Sequence, residues 1–295
     1  MKLLKKTTII VIILVTSILI SWQFASKNKR ISEVNSKGKY HVNDQNKAKS
    51  SPFKVNKDVS DLMVGLGCLT RPIADNPSSA RVLYCSPNQT LKKVALTFDD
   101  GPDVYYTPQI LEILKQNNVK ATFFIVGLRA QAHPEMVRRM VNEGHSIGNH
   151  TWDHPLLSKL PPDRVKEQVQ KTEQLLYKIT GFNTAMFRPP YGSTTPQITN
   201  EISSLGYKMI DWSIDTRDWD KTPVPQIMNY VSNELYPGGI ILQHCAGEDL
   251  SNTVKALPQI ISSLKSKGYS FVPVQDLLDI PASKGKICST ILSTP

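Results

Sequence analysis

From Val94 onward, short apolar runs alternate with amphipathic stretches, and this alternation limits the possible fold more than any other feature of the chain. The apolar runs are Val94–Phe98, Ala121–Val126, Ser146–Asn149, Ala185–Arg188, Tyr207–Ile214, Gly239–Gln243 and Tyr269–Val272. They are short and bounded by turn or helix signals, so they read as strands. Between them, apolar residues recur at helical spacing. Thr107–Asn117 has Ile110, Leu111 and Leu114 on one face, and Pro162–Thr180 has Val165, Val169, Leu176 and Ile179. Pro134–Glu143, Thr195–Leu205, Pro225–Tyr236, Thr253–Lys267 and a short helix ending by Ile280 complete the helical set. Repeated strand-then-helix units call for parallel strands joined by helical crossovers. Seven such strands predict an α/β fold, a (β/α) barrel that is irregular or incomplete, over an open doubly wound sheet. No glycine-rich phosphate loop follows the first strand, which argues against a nucleotide-binding open sheet.

Charge divides the chain in two. Residues 1–57 hold 12 Lys/Arg and 2 Asp/Glu, a net of +10, whereas residues 58–295 hold 23 of each and are neutral. Met1–Lys6 is basic, and Thr7–Phe24 is an 18-residue stretch without a charge. Residues 1–26 therefore read as a signal anchor or a signal peptide. Gln23 stands three back from a cut after Ala25, where a small residue is preferred, so the uncleaved anchor is favoured. Residues 27–57, rich in Lys, Asn and Ser, read as a flexible basic stalk with affinity for anionic lipid or wall polymers. Residues 58–90 are expected to be a lead-in packed on the barrel, 91–280 the main domain, and 281–295 a peripheral tail. The expected location is outside the cell, on the membrane or in the wall, with no nucleic-acid partner and a monomeric state. Cys68, Cys85, Cys245 and Cys288 permit disulfides in an exported chain, in any of three connectivities.

Polar residues cluster just after the strands. The first strand runs into Asp99-Asp100-Gly101-Pro102, the third into His150-Thr151-Trp152-Asp153-His154, and the fourth into Arg188-Pro189-Pro190-Tyr191-Gly192. The fifth is followed by Asp215-Thr216-Arg217-Asp218-Trp219, and the sixth closes on Leu242-Gln243-His244. In a (β/α) barrel these ends share one mouth. Two adjacent carboxylates there both ionise only beside a cation or hydrogen-bond donors. Two histidines and a carboxylate are a common catalytic zinc set, so Asp100, His150 and His154 are the candidate ligands. Pro155 disfavours the α conformation at His154, so a turn or an irregular helix end is expected there rather than mid-helix. Asp99 remains as a candidate base for an attacking water, with Arg188 to hold it ionised. Pro189-Pro190 would stiffen the loop that offers the Tyr191 N–H to an oxyanion, and His244, oriented by Asp218, would be the acid. Trp219 and Leu242, joined by Pro190, are the candidate substrate-binding wall.

These five clusters, in this order, resemble the five motifs of the polysaccharide deacetylases, the NodB-homology enzymes of carbohydrate esterase family 4. The resemblance covers roughly Leu91 to Ile280. It implies a deformed barrel, removal of N-acetyl groups from amino sugars with a divalent metal, and the residue roles just given. Zinc is the expected ion, with cobalt, manganese or nickel as alternatives. The expected substrate is a cell-wall glycan, peptidoglycan foremost, or a chitin-like oligomer. Two rival readings are a catalytically inactive wall-binding module and a metal-dependent amidase acting on wall peptides.

Overall fold

A computed structural model of the chain describes residues 80–284. The expected N-terminal segment and stalk, Cys68 and Cys288 lie outside the described residues. Among those residues no helix is long and apolar enough to cross a membrane.

The strands are β1 (Val82–Leu83), β2 (Lys93–Asp99), β3 (Thr122–Ile125), β4 (Ser146–Asn149), β5 (Met186–Phe187), β6 (Lys208–Ile210), β7 (Ile214–Asp215), β8 (Ile240–His244) and β9 (Ser270–Phe271). The helices are α1 (Tyr106–Gln116), α2 (Gly127–Ala132), α3 (Pro134–Asn142), α4 (Pro162–Thr180), α5 (Pro196–Ser204), α6 (Val224–Glu234), α7 (Ser251–Ser266) and α8 (Val274–Leu278). The sheet runs β1-β6-β5-β4-β3-β2-β8-β7, with β9 beside β2, and every strand pair in it is parallel. Parallel strands covered on both faces carry apolar runs rather than alternating ones, and β2 is buried from Val94 to Asp99.

The expected strand Tyr207–Ile214 is two strands. β6 pairs with β5 and β1, then Asp211–Ser213 breaks away and β7 pairs with β8 on the other side. The Asp211 N–H bonds to Leu83 O and the Ser213 N–H to Ile240 O, so the break bridges the two edges of the ladder. The result is a curled, incompletely closed barrel. Helix α2 was not expected, since its six residues are too few to show a helical period.

Two kinds of signal shape the helices. Thr195 caps α5 by accepting from Ile198 N at 3.2 Å. Gly181 ends α4 in the left-handed region (φ 82°), its N–H bonded to Tyr177 O. Ile110, Leu111 and Leu114 of α1 are fully buried against β2 and β3, each worth about 1.5–3 kcal/mol by removal from water. The first residues of the tail are bonded to the domain: Ser283 bridges to Thr184 and Lys284 pairs with Glu173 of α4. Cys85 is disulfide-bonded and Cys245 is a buried free thiol, which excludes all three two-disulfide connectivities, since each of them pairs Cys245.

Candidate active site

Alternation along each strand decides which side chains face the barrel interior. In β2, Val94, Leu96 and Phe98 pack under the helices, which turns Ala95, Thr97 and Asp99 inward. In β5, Phe187 packs outward and Met186 inward, so Arg188 returns to the interior. Gly148 faces the Phe124 ring, which a Cβ there would overlap, and His150 follows in the same phase. Ile241 packs outward, leaving Ile240 and, further along the same phase, His244 inside. Four strands thus deliver Asp99, His150, Arg188 and His244 to one end of the barrel.

Arg188 is wholly buried. Its Nη1 donates to Asp99 Oδ1 and to Thr97 Oγ1, each at 2.8 Å, and its Nη2 donates to the Asp211 carbonyl at 2.9 Å. Its guanidinium lies 4.1 Å from the centre of the Phe124 ring. Thr97 relays the contact, donating to Ile241 O at 2.7 Å. Sequence reasoning missed Thr97 and Asp211 as partners. The available signal was that a buried guanidinium needs several acceptors nearby. Burial pushes the Asp211 carboxyl up to about 7, an effect that the nearby Arg188 opposes and Asp99 reinforces.

Asp100, His150 and His154 converge as expected. Asp100 Oδ1 is 3.5 Å from His150 Nε2 and 3.2 Å from His154 Nε2. His154 sits in a turn rather than a helix, with Thr151 at φ 71° and His154 at φ 61°. Non-glycine residues in that region cost on the order of 1–3 kcal/mol each, so the surrounding bonds must hold them there. His150 Nδ1 lies 2.7 Å from Arg188 O, so that nitrogen carries the proton and Nε2 is left as a donor atom.

Three observations bear on whether a cation suits this trio. Asp100 Oδ1 is buried without a hydrogen-bond partner. One ligand atom from each of the three residues lies within 4.8 Å of the others. Donors about 2.0–2.1 Å from a tetrahedral zinc lie about 3.4 Å apart, close to the separations found here. The trio fits. Burial alone would raise the Asp100 carboxyl, but His150, His244 and His154 outweigh it and hold it well below the usual carboxylate range. Burial and the neighbouring His150 bring His154 down to about 4, keeping its imidazole neutral and free to ligate.

Across from this trio, Asp218 is buried and accepts four bonds. His244 Nδ1 is 2.8 Å from Oδ1, and the Trp219 N–H donates to the same oxygen at 3.1 Å. The His244 N–H and Thr253 Oγ1 donate to Oδ2 at 2.8 and 2.9 Å. Burial works against a charged His244, yet Asp218 outweighs it and pushes the imidazole up to about 10, with Asp100 and Asp99 adding to the effect. Tyr191 turns at φ 61°, pinned by Gly192 N–H to Pro189 O and Ser193 N–H to Pro190 O, and its ring meets that of His154 at 4.7 Å. Pro190 and Leu242 are buried and Trp219 half-buried. A groove of about 300 Å³ lined by Asp100, Val126, Leu128, Arg129, Asp153 and His154 opens beside the trio.

The fold and site define a parallel α/β half-barrel that gathers a candidate metal grip and two polar pairs at its strand ends. The sequence model of one family, Polysaccharide deacetylase, matches residues 86–210. The chain is 44% identical over 186 residues to a peptidoglycan-N-acetylglucosamine deacetylase of Bacillus cereus, covering 63% of this chain and 68% of that protein. It is 39% identical over 211 residues to the peptidoglycan-N-acetylglucosamine deacetylase PgdA of Listeria monocytogenes, covering 71% of this chain but only 44% of that one. Its fold superposes with a TM-score of 0.67 on a crystal structure of a peptidoglycan N-acetylglucosamine deacetylase in complex with 4-naphthalen-1-yl-N-oxidanyl-benzamide. The two are 40% identical, over 69% of this chain and 95% of that one. The chain belongs to the polysaccharide deacetylase family.

Proposed function

We propose that this chain is an exported, metal-dependent hydrolase that removes acetyl groups from N-acetylglucosamine units of a cell-wall glycan, peptidoglycan foremost. The observation that carries the reading is the convergence of Asp100, His150 and His154 within 3.5 Å contacts of one carboxylate oxygen, beside the Arg188-held Asp99. A divalent cation held there, zinc foremost, supplies Lewis acidity, polarising the acetamide carbonyl and lowering the pKa of water from 15.7 towards about 7. Asp99 takes the proton from the attacking water as oxygen adds to the carbonyl carbon. The Tyr191 N–H faces the developing oxyanion. His244 gives its proton to the departing nitrogen as the C–N bond breaks, leaving acetate and a glucosamine amine. Trp219, Leu242 and Pro190 wall in the methyl group.

The basic, apolar N-terminus and lysine-rich stretch favour a tethered enzyme on a wall substrate, and the relatives are named for activity on peptidoglycan. A binding-only module needs none of this machinery. What supports turnover is that Asp100, His150 and His154 gather at one point, Asp99 pairs with Arg188 and His244 with Asp218. The test is acetate release from wall glycan and from N-acetylglucosamine oligomers, with and without chelator. We expect release from both, abolished by chelator and restored by zinc. No acetate from either substrate would overturn the deacetylase reading, and full activity in chelator would overturn the metal.

The acid role of His244 has its own test. Activity that needs the imidazolium is present below its pKa and is lost as pH rises through about 10. Asp218→Asn removes the charge that raises it, so the alkaline limb of kcat/KM moves acidward by about 1–3 units. An unmoved limb would assign that titration to another group.

A further inference from the structure

We infer that Gln168, on α4 and outside every strand-end cluster, is a positioning residue that sets the His150–His154 loop for cation binding. The inference rests on the reading of Asp100, His150 and His154 as cation ligands. No regular secondary structure shapes this loop, and Thr151 and His154 both adopt left-handed backbone conformations without being glycine. Its geometry must therefore come from bonds made by its neighbours, and each of its five N–H groups has a fixed acceptor. The His150 N–H bonds to Ile125 O at 2.9 Å, the Thr151 N–H to Asn149 Oδ1 at 2.9 Å, and the His154 N–H to Thr151 Oγ1 at 3.1 Å. The remaining two, on Trp152 and Asp153, both donate to Gln168 Oε1, at 2.8 and 3.2 Å.

The loop is gripped from its other side as well. Thr151 O and Trp152 O accept the first N–H groups of α2, from Gly127 at 2.9 Å and Leu128 at 2.8 Å. Between the two grips the Trp152 ring is wedged so tightly that a Cβ on Gly127 would overlap it and lie 2.7 Å from Thr172 Oγ1 of α4. Lys171 Nζ covers the ring at 3.9 Å. Gln168 lies on the buried face of α4, among Val165, Val169 and Thr172. An uncommitted amide there would be unfavourable, and the loop N–H groups are what its oxygen bonds. One oxygen thus ties the segment between the two histidines to a rigid helix. Without it, the Trp152 and Asp153 N–H groups lose their shared acceptor, and the loop is held from the α2 side alone, which loosens the position of His154 relative to His150 and Asp100.

The experiment is titration calorimetry with Zn²⁺ on the full chain stripped of metal, for the parent, Gln168→Met, Gln168→Asn and Gln168→Glu, with thermal unfolding of each metal-free form. Met removes the acceptor, Asn withdraws it by one methylene, and Glu keeps an oxygen in place. Met and Asn are expected to weaken Zn²⁺ binding about 10- to 100-fold. Glu is expected to bind close to the parent, although all four unfold cooperatively without metal. If Met does not fold, Asn against Glu carries the comparison. Parent-like affinity in the acceptor-deficient variant, or Glu as weak as that variant, would overturn the inference alone. A parent that binds no Zn²⁺ would overturn the cation site and this inference with it.

Discussion

Arg188→Met should cost about 3–5 kcal/mol of folding stability, seen as a fall of roughly 6–20 °C in the unfolding temperature. Methionine fills much of the same space, so the loss comes from what the guanidinium leaves behind. Asp99 is 3% exposed and takes its ion pair from Arg188 Nη1 at 2.8 Å. With Arg188 gone, that carboxylate stays buried and uncompensated, and the Asp211 carbonyl and Thr97 hydroxyl each lose a donor. Removing one partner of a buried ion pair is far costlier than replacing both. The double variant Arg188→Met/Asp99→Asn is therefore expected to recover a large part of the loss, a coupling that additive contributions would not produce. Urea unfolding of the two single variants and the double one makes the measurement. A loss below about 1 kcal/mol in Arg188→Met would show that the arginine is not the counter-charge it is taken for.

How much of this was legible in the sequence depends on the range of the interaction. Strand ends are local signals: an apolar run that stops at Asp99-Asp100-Gly101 or at His150 announces a polar group at a barrel mouth before any contact is known. Pro155 behind His154 was enough to expect a turn or an irregular helix end there, and the structure has a turn. What could not be read was non-local. Tyr207–Ile214 looks like one strand because its apolar residues run on through Ile210 and Ile214. It divides because Asp211–Ser213 must span from Leu83 to Ile240, partners over a hundred residues away on at least one side. Gln168 was equally hidden. Next to Val169 on an amphipathic helix, a glutamine reads as the flank of the apolar stripe, and only the folded backbone brings Trp152 and Asp153 to its oxygen. Cys245 directly follows His244 in the sequence. It lies buried with its Sγ 3.4 Å from the Asp99 carbonyl, and burial pushes its thiol well up, which makes it packing rather than a nucleophile.

Asp99→Asn should lower kcat by about 100- to 10,000-fold, which is about 2.7–5.4 kcal/mol of transition-state stabilisation, with KM and Zn²⁺ affinity nearly unchanged. The substitution keeps the size of the side chain and an oxygen that can still accept from Arg188, so the variant is expected to fold, with reduced stability because the buried arginine loses its counter-charge. What it removes is the capacity to take a proton. Asp99 Oδ1 is committed to Arg188, whereas Oδ2 points towards the metal trio, 3.8 Å from His150 Nε2. An attacking water between that oxygen and the acetamide carbon would pass its proton to Oδ2. Asp100→Asn is the matched control. Its Oδ1 is the atom both histidines face, at 3.5 and 3.2 Å, so neutralising it should weaken Zn²⁺ binding first and lose activity as a consequence, with partial recovery at high Zn²⁺. The two neighbours thus predict opposite failures: a loaded protein that cannot turn over, and a protein that turns over once loaded. If Asp99→Asn instead lost the metal, or kept parent-like kcat while loaded, the division of labour between the two carboxylates would have to be redrawn.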